Sequence, residues 1–143
     1  MYNIGIIGAG KVGVSLGRYL LGLDYTNLVG YYSRSLYSSA YAAKVTNSGK
    51  FTSIEKLVEK SNVILITTPD DQISEIWSTI SKFSIQNKIV CHCSGSLSSE
   101  IFFDISSKGA SGCSMHPILA ISSKENSYKD LSSAFFTLEG QDK

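Results

Sequence analysis

Apolar positions in this chain come in short runs of strand character, separated by stretches in which they recur at helical spacing. Asn3-Ile4-Gly5-Ile6-Ile7 is the first run; it breaks at Gly8, and Val12, Leu16, Tyr19, Leu20 and Leu23 then mark one face of a helix. Asn27 to Tyr32 reads as a second strand, ending at Ser33-Arg34-Ser35. A helix follows from Ser35 to about Val45, with Ala40, Ala42, Ala43 and Val45 as small contacts and Asn47-Ser48-Gly49 as its stop. Lys50 to Thr52 is a short strand at most, and Ser53 caps a helix that buries Leu57 and Val58. Asn62 to Thr68 is rich in β-branched residues without polar alternation, which implies burial on both faces of a sheet. The run stops at Pro69. Asp70 and Asp71 then open a helix through Ile73, Ile76, Trp77 and Ile80, with acidic residues where the helix dipole favours them. Lys88 to His92 is a further strand, followed by the loop Cys93 to Ser96, a helix from Ser98 or Ser99 to Ser107, and a strand at Gly112 to Met115. The segment His116-Pro117-Ile118-Leu119 comes next, and Ala134 to Leu138 is the last strand.

Strands alternating with helices through short loops predict an α/β fold: a doubly wound parallel sheet between two helical layers, paired in the order 3-2-1-4-5-6. With 143 residues the chain makes one core and one domain. Ligands of such sheets bind at the carboxyl ends of the strands, beside the point where strand order reverses. Chemistry is therefore expected at Gly8 to Gly13, Ser33 to Ser35, Thr67 to Asp71, Cys93 to Ser96, and His116-Pro117.

Charge narrows the partners. Thirteen Lys and Arg against twelve Asp and Glu leave a net charge of +1, with no bulk field to draw nucleic acid or an anionic membrane. No apolar run approaches the length of a bilayer span, and the N-terminus lacks the basic and apolar regions of a signal peptide, so a cytoplasmic protein is expected. Three cysteines, Cys91, Cys93 and Cys113, fit a reducing compartment. Together with His116 they also raise zinc, but Cys91-x-Cys93 is not a knuckle spacing, so they read as small hydrophobes and no metal is expected.

The turn Gly8-Ala9-Gly10-Lys11-Val12-Gly13 carries Gly-x-Gly-x-x-Gly between a strand and a helix, the spacing of a dinucleotide phosphate cradle. Gly5-x4-Gly10-Lys11 nearly spells a nucleoside triphosphate loop. It fails at Val12, where Ser or Thr would hold magnesium. At the end of the second strand an NAD site places an acid for the ribose hydroxyls; here stand Ser33, Arg34 and Ser35. A guanidinium between two hydroxyls suits a 2′-phosphate and predicts NADP. A methyltransferase using S-adenosylmethionine would also want an acid there. His92 and His116, each at or next to a strand end, are candidate proton donors or loop-orienting residues.

Gly-Ile-Ile-Gly-Ala-Gly-Lys-Val-Gly, Tyr-Ser-Arg-Ser, Thr-Thr-Pro-Asp-Asp-Gln-Ile, His-Cys-Ser-Gly-Ser-Leu and Met-His-Pro-Ile follow one another in this order. On these motifs the chain resembles, over its whole length, the N-terminal Rossmann-like domain of bacterial NADP oxidoreductases that carry the C-terminal domain DUF2520. That family is related to pyrroline-5-carboxylate reductase and the 3-hydroxyacid dehydrogenases. The resemblance implies hydride transfer to the carbonyl or imine carbon of a small substrate, with ketopantoate or another 2-oxo acid foremost. It places nicotinamide near Thr68, Pro69 and Ser94, with Asp70 to Ile73 flanking the cofactor. Thr67 and Gly95 complete the expected cofactor contacts, and Ser94 and His116, as hydrogen-bond donors to a developing oxyanion, are the catalytic candidates. The resemblance also implies a helical domain beyond Lys143 that contacts substrate and makes a homodimer. The alternative is a non-catalytic dinucleotide-sensing or interaction module on the same fold.

Overall fold

The computed structural model describes residues 1–140; Gln141 to Lys143 lie outside them. Seven strands form one sheet: β1 (Tyr2–Ile7), β2 (Thr26–Tyr32), β3 (Gly49–Phe51), β4 (Val63–Ile66), β5 (Ile89–His92), β6 (Ser111–Ile118) and β7 (Phe135–Gly140). Their order is β3-β2-β1-β4-β5-β6-β7. The first six are parallel, in the expected order. The crossovers carry helices α1 (Lys11–Leu20), α2 (Leu36–Val45), α3 (Ile54–Lys60) and α4 (Asp70–Ile80).

Side-chain alternation along the central strands divides the core between the two faces of the sheet. Ile64, Ile66 and Val90 turn toward α3 and α4, packing with Leu57, Ile73, Trp77 and Ile80. Leu65 and Cys91, the residues between, pack with Ile4, Ile6, Val14, Tyr31 and Ala42 on the side of α1 and α2. Burial on both faces is why the β4 run shows no polar alternation. Ser35 caps α2 by accepting from the Ser38 N–H, and Ser53 caps α3 from the Lys56 N–H.

Three elements depart from the sequence expectation. The helix expected from Ser98 or Ser99 to Ser107 is two short 3-10 turns, Ser99–Ile101 and Ile105–Lys108. Phe102 between them leaves helical geometry and is fully buried, edge-on to Trp77 with ring centroids 5.2 Å apart. That packing, together with serines that bond the local backbone, outweighs propagation of a helix. Second, β6 runs on through His116 and Pro117 to Ile118. β5 ends at His92, opposite Ser114, so Pro117 has no β5 neighbour to which an N–H would be owed. Third, β7 is antiparallel to β6 and closes the sheet edge.

The connection into β7 crosses α1 with two 3-10 turns, Ser127–Lys129 and Leu131–Ser133. Arg18 donates to the Lys124 carbonyl at 3.2 Å and lies over the Tyr128 ring. β7 is held back to the sheet by Glu139, whose carboxylate accepts from the Ser99 N–H and Oγ, both at 2.6 Å. These bonds hold Glu139 below the usual carboxylate range. A depressed carboxylate stabilises above its unfolded pKa and loses that contribution as pH falls through its folded one. Glu139→Gln should therefore speed amide exchange of β7 relative to wild type at neutral pH, and the difference should close in acid, as read by hydrogen exchange. No helix among the described residues is long and apolar enough to cross a membrane.

Candidate functional site

Strands β1, β2 and β4 all end at one edge of the sheet, and the turns that follow them enclose a cleft of about 490 Å³. Gly8, Ala9 and Gly10 form one wall, Ser33, Arg34 and Ser35 another, and Thr67, Thr68 and Pro69 a third. These nine expected residues come together because parallel order puts the carboxyl ends of neighbouring strands side by side.

The glycine turn is tied at both ends. The Gly8 N–H donates to the Tyr32 carbonyl at 2.9 Å, and Thr67 Oγ1 donates to the Gly8 carbonyl at 3.1 Å. Gly8 has φ of +112°, a conformation that strains any residue with a Cβ. A Cβ on Gly13 would collide with the Gly8 carbonyl oxygen and lie 2.6 Å from Thr67 Oγ1, so Gly13 sets the approach of α1 to the turn. Gly10 is different. A Cβ there would meet nothing within 4 Å of the protein, so the space beside it is open to a ligand. No side chain caps the first turn of α1, which leaves its N–H groups facing that space.

Arg34 is exposed and has no ion-pair partner among the described residues. The Ser33 and Ser35 oxygens accept from the Ser35 and Ser38 N–H groups, which leaves each hydroxyl hydrogen to donate. Thr68 Oγ1 is buried in the third wall without a hydrogen-bond partner. An open glycine, an unpaired guanidinium and an orphaned hydroxyl on one cleft fit a large, polar, anionic ligand.

Other expected residues stand differently. Lys11 is exposed and Val12 half-buried on α1, and Asp70 is exposed at the start of α4; none lines the cleft. Ile73 is fully buried in the core, because helical phase turns it toward the sheet; Ile76 takes the lining place. Gln72, within the expected Asp70 to Ile73 flank, does line the cleft, and the residues that the sequence reading missed are Ile7, Tyr32, Ile54, Glu75, Ile76 and Thr79. Gln72, Glu75, Ile76 and Thr79 are spaced i, i+3, i+4, i+7, and that stripe was the available signal. Glu75 brings an acid to the rim that the region around Arg34 lacks in sequence.

Ser94, Gly95 and His116 form a neighbouring cluster at the ends of β5 and β6, outside the cleft lining. Ser94 is buried, and its Oγ accepts from the Ser96 and Leu97 N–H groups, so it holds the turn while keeping one hydrogen to donate. The His116 ring packs on Gly95, where a Cβ would lie 2.9 Å from Nε2. Its Nδ1 lies 3.2 Å from the Cys93 carbonyl, which requires Nδ1–H and leaves Nε2 free of the proton in the neutral ring. His92 is fully buried: Nδ1 accepts from the Ser94 N–H at 3.2 Å and Nε2 donates to the Ser98 carbonyl at 3.0 Å. Both nitrogens are engaged, so His92 orients the loop. No group of three or more His, Cys, Asp or Glu side chains among the described residues could hold a metal ion.

A family model described as a Rossmann-like domain matches residues 1–117. No curated protein sequence matches the chain. Among solved structures, a Bacteroides fragilis protein described as a candidate NADP oxidoreductase is 19% identical with a TM-score of 0.81, covering 99% of this chain and 52% of its own. Prephenate dehydrogenase from A. aeolicus, solved with hydroxyphenyl propionate and NAD+, is 21% identical with a TM-score of 0.77, covering 96% and 50%. Plasmodium falciparum pyrroline carboxylate reductase with NADP bound is 15% identical with a TM-score of 0.73, covering 98% and 48%. The chain thus spans about half the length of these proteins. At such identities the likeness is one of fold.

Proposed function

The chain belongs to the Rossmann-like domain family, and from that footing we propose that it is the NADP(H)-binding domain of an oxidoreductase. The observation that carries this reading is the meeting, on one cleft, of the open space at Gly10 and the unpaired Arg34. The α1 N–H groups would hold a pyrophosphate; Arg34, Ser33 and Ser35 would hold a 2′-phosphate; Thr68 Oγ1 would find its missing partner on the ligand. Similar folds solved with NADP and with NAD+ support a nicotinamide dinucleotide.

When bound, such a cofactor supplies the hydride. The protein's part is to orient the nicotinamide with Thr68, Pro69 and the Ser94–Gly95 turn, and to keep water from it. Ser94 Oγ–H or a protonated His116 Nε2–H would stabilise oxygen as negative charge develops there. The motifs shared with the DUF2520 oxidoreductases favour a carbonyl or imine carbon of a small substrate, ketopantoate or another 2-oxo acid first. That resemblance also favours a helical partner domain and a homodimer. Titration with NADPH and NADH by nicotinamide fluorescence tests the cofactor: tighter NADPH binding is expected, and equal affinities sink the 2′-phosphate assignment. Turnover of 2-oxo acids with NADPH by the full gene product tests the reaction.

A second reading, a dinucleotide-sensing or interaction module, draws on the internal hydrogen bonds of Ser94 and His116 and on exposed Phe135 and Leu138 of β7. It predicts NADPH binding without turnover of any carbonyl or imine by the full gene product.

A further inference from the structure

Cys91 on β5 and Cys113 on β6 are direct partners in the parallel ladder, and both thiols are free. Being in register, their side chains leave the same face of the sheet, and both pack with the core beneath α1. The Cys91 thiol donates to the His92 carbonyl at 3.6 Å, and the strand register sets Cys113 beside it. Adjacent strands lie about 4.8 Å apart, within the roughly 4.4–6.8 Å that a disulfide spans between Cα atoms. Cys91 is almost wholly buried and Cys113 half-buried, so Cys113 is the more accessible of the two.

We propose that Cys91 and Cys113 form a reversible redox pair, closed by a low-molecular-weight disulfide such as oxidised glutathione into a bond between β5 and β6. The two thiols differ in the sense this needs. The neighbouring Cys91 thiol holds the Cys113 thiol below its ordinary range, while the Cys113 thiol and burial push Cys91 up. Cys93, just past the end of β5, is pushed up to about 12, mainly by burial, and stays a thiol.

The Cys113 thiolate attacks one sulfur of the reagent, expels a thiolate and forms a mixed disulfide. Cys91 then gives up its proton, attacks the Cys113 sulfur and expels the second thiol. Two protein thiols lose two electrons and two protons, and the reagent is reduced to two thiols.

The test uses the whole reduced chain, treated with oxidised glutathione at neutral pH and then alkylated. Expected are a product two hydrogens lighter, a single alkylated cysteine at Cys93, and a linked 91–113 peptide after digestion, all reversed by dithiothreitol. Cys91→Ser should stop at a glutathione adduct on Cys113, and Cys93→Ser should close as wild type does; the second variant keeps the test valid if the first misfolds. A link through Cys93, a glutathione adduct persisting on Cys113 in wild type, or equal closure in denaturant overturns the proposal.

Discussion

Replacing Arg34 with alanine should weaken NADPH binding about 10- to 100-fold while leaving NADH within about threefold, since a charged hydrogen bond is worth roughly 1.5–3 kcal/mol. The side chain is exposed and has no ion-pair partner among the described residues, so its removal breaks no internal pair. Its effect on thermal stability should accordingly be small. The measurement is the ratio of the two dissociation constants by fluorescence, with a melting curve beside it. A parallel loss for both cofactors would move Arg34 from the 2′-phosphate to the shared part of the ligand. No loss for either would remove it from the site. Arg34→Lys should recover only part of the preference, because an ammonium cannot present two parallel donors to a phosphate.

The second large effect separates the two roles of the glycine turn. Gly13→Ala forces a Cβ onto the Gly8 carbonyl and Thr67 Oγ1, both of them fixed by other bonds. Overpacking of this kind costs about 1–3 kcal/mol, which in a chain of this size lowers Tm by roughly 5–10 °C. Gly10→Ala has the opposite signature. Its backbone is extended (φ −82°, ψ −166°) and its Cβ meets no protein atom, so stability should hardly move. Binding should fall at least about tenfold, because the methyl occupies the space a pyrophosphate would use. Calorimetry and cofactor titration on both variants check this together. A Gly10→Ala protein that binds NADPH as wild type does would mean the open space is not the phosphate site.

How much of this was legible beforehand varies with the range of the interaction. Strands β1 to β5, helices α1 to α4 and the cap at Ser53 are written in local patterns: apolar runs, helical spacing, and a hydroxyl before α3. The order of six parallel strands followed from that alternation, since short right-handed crossovers leave few other arrangements. The three loops of the cleft were legible for the same reason, because strand ends in known order are neighbours. Ile73 and Ile76 show where local reading falls short: both belong to one apolar stripe, and only the packing of α4 decides which enters the core and which faces the cleft.

What the sequence determined by itself is thus the glycine turn, Arg34 between its serines, and the sheet order that brings them together, all consequences of residue type and periodicity. Tertiary structure alone decided the rest. Phe102 broke an expected helix because burial against Trp77 outweighs helical propensity. β7 pairs antiparallel and is held by Glu139 on Ser99, 40 residues earlier in the chain. His92 spends both nitrogens on its own loop, and Cys91 meets Cys113 through the register of two strands separated by two 3-10 turns. Each of these depends on groups far apart in sequence, whose contact energy appears only once the chain between them has folded.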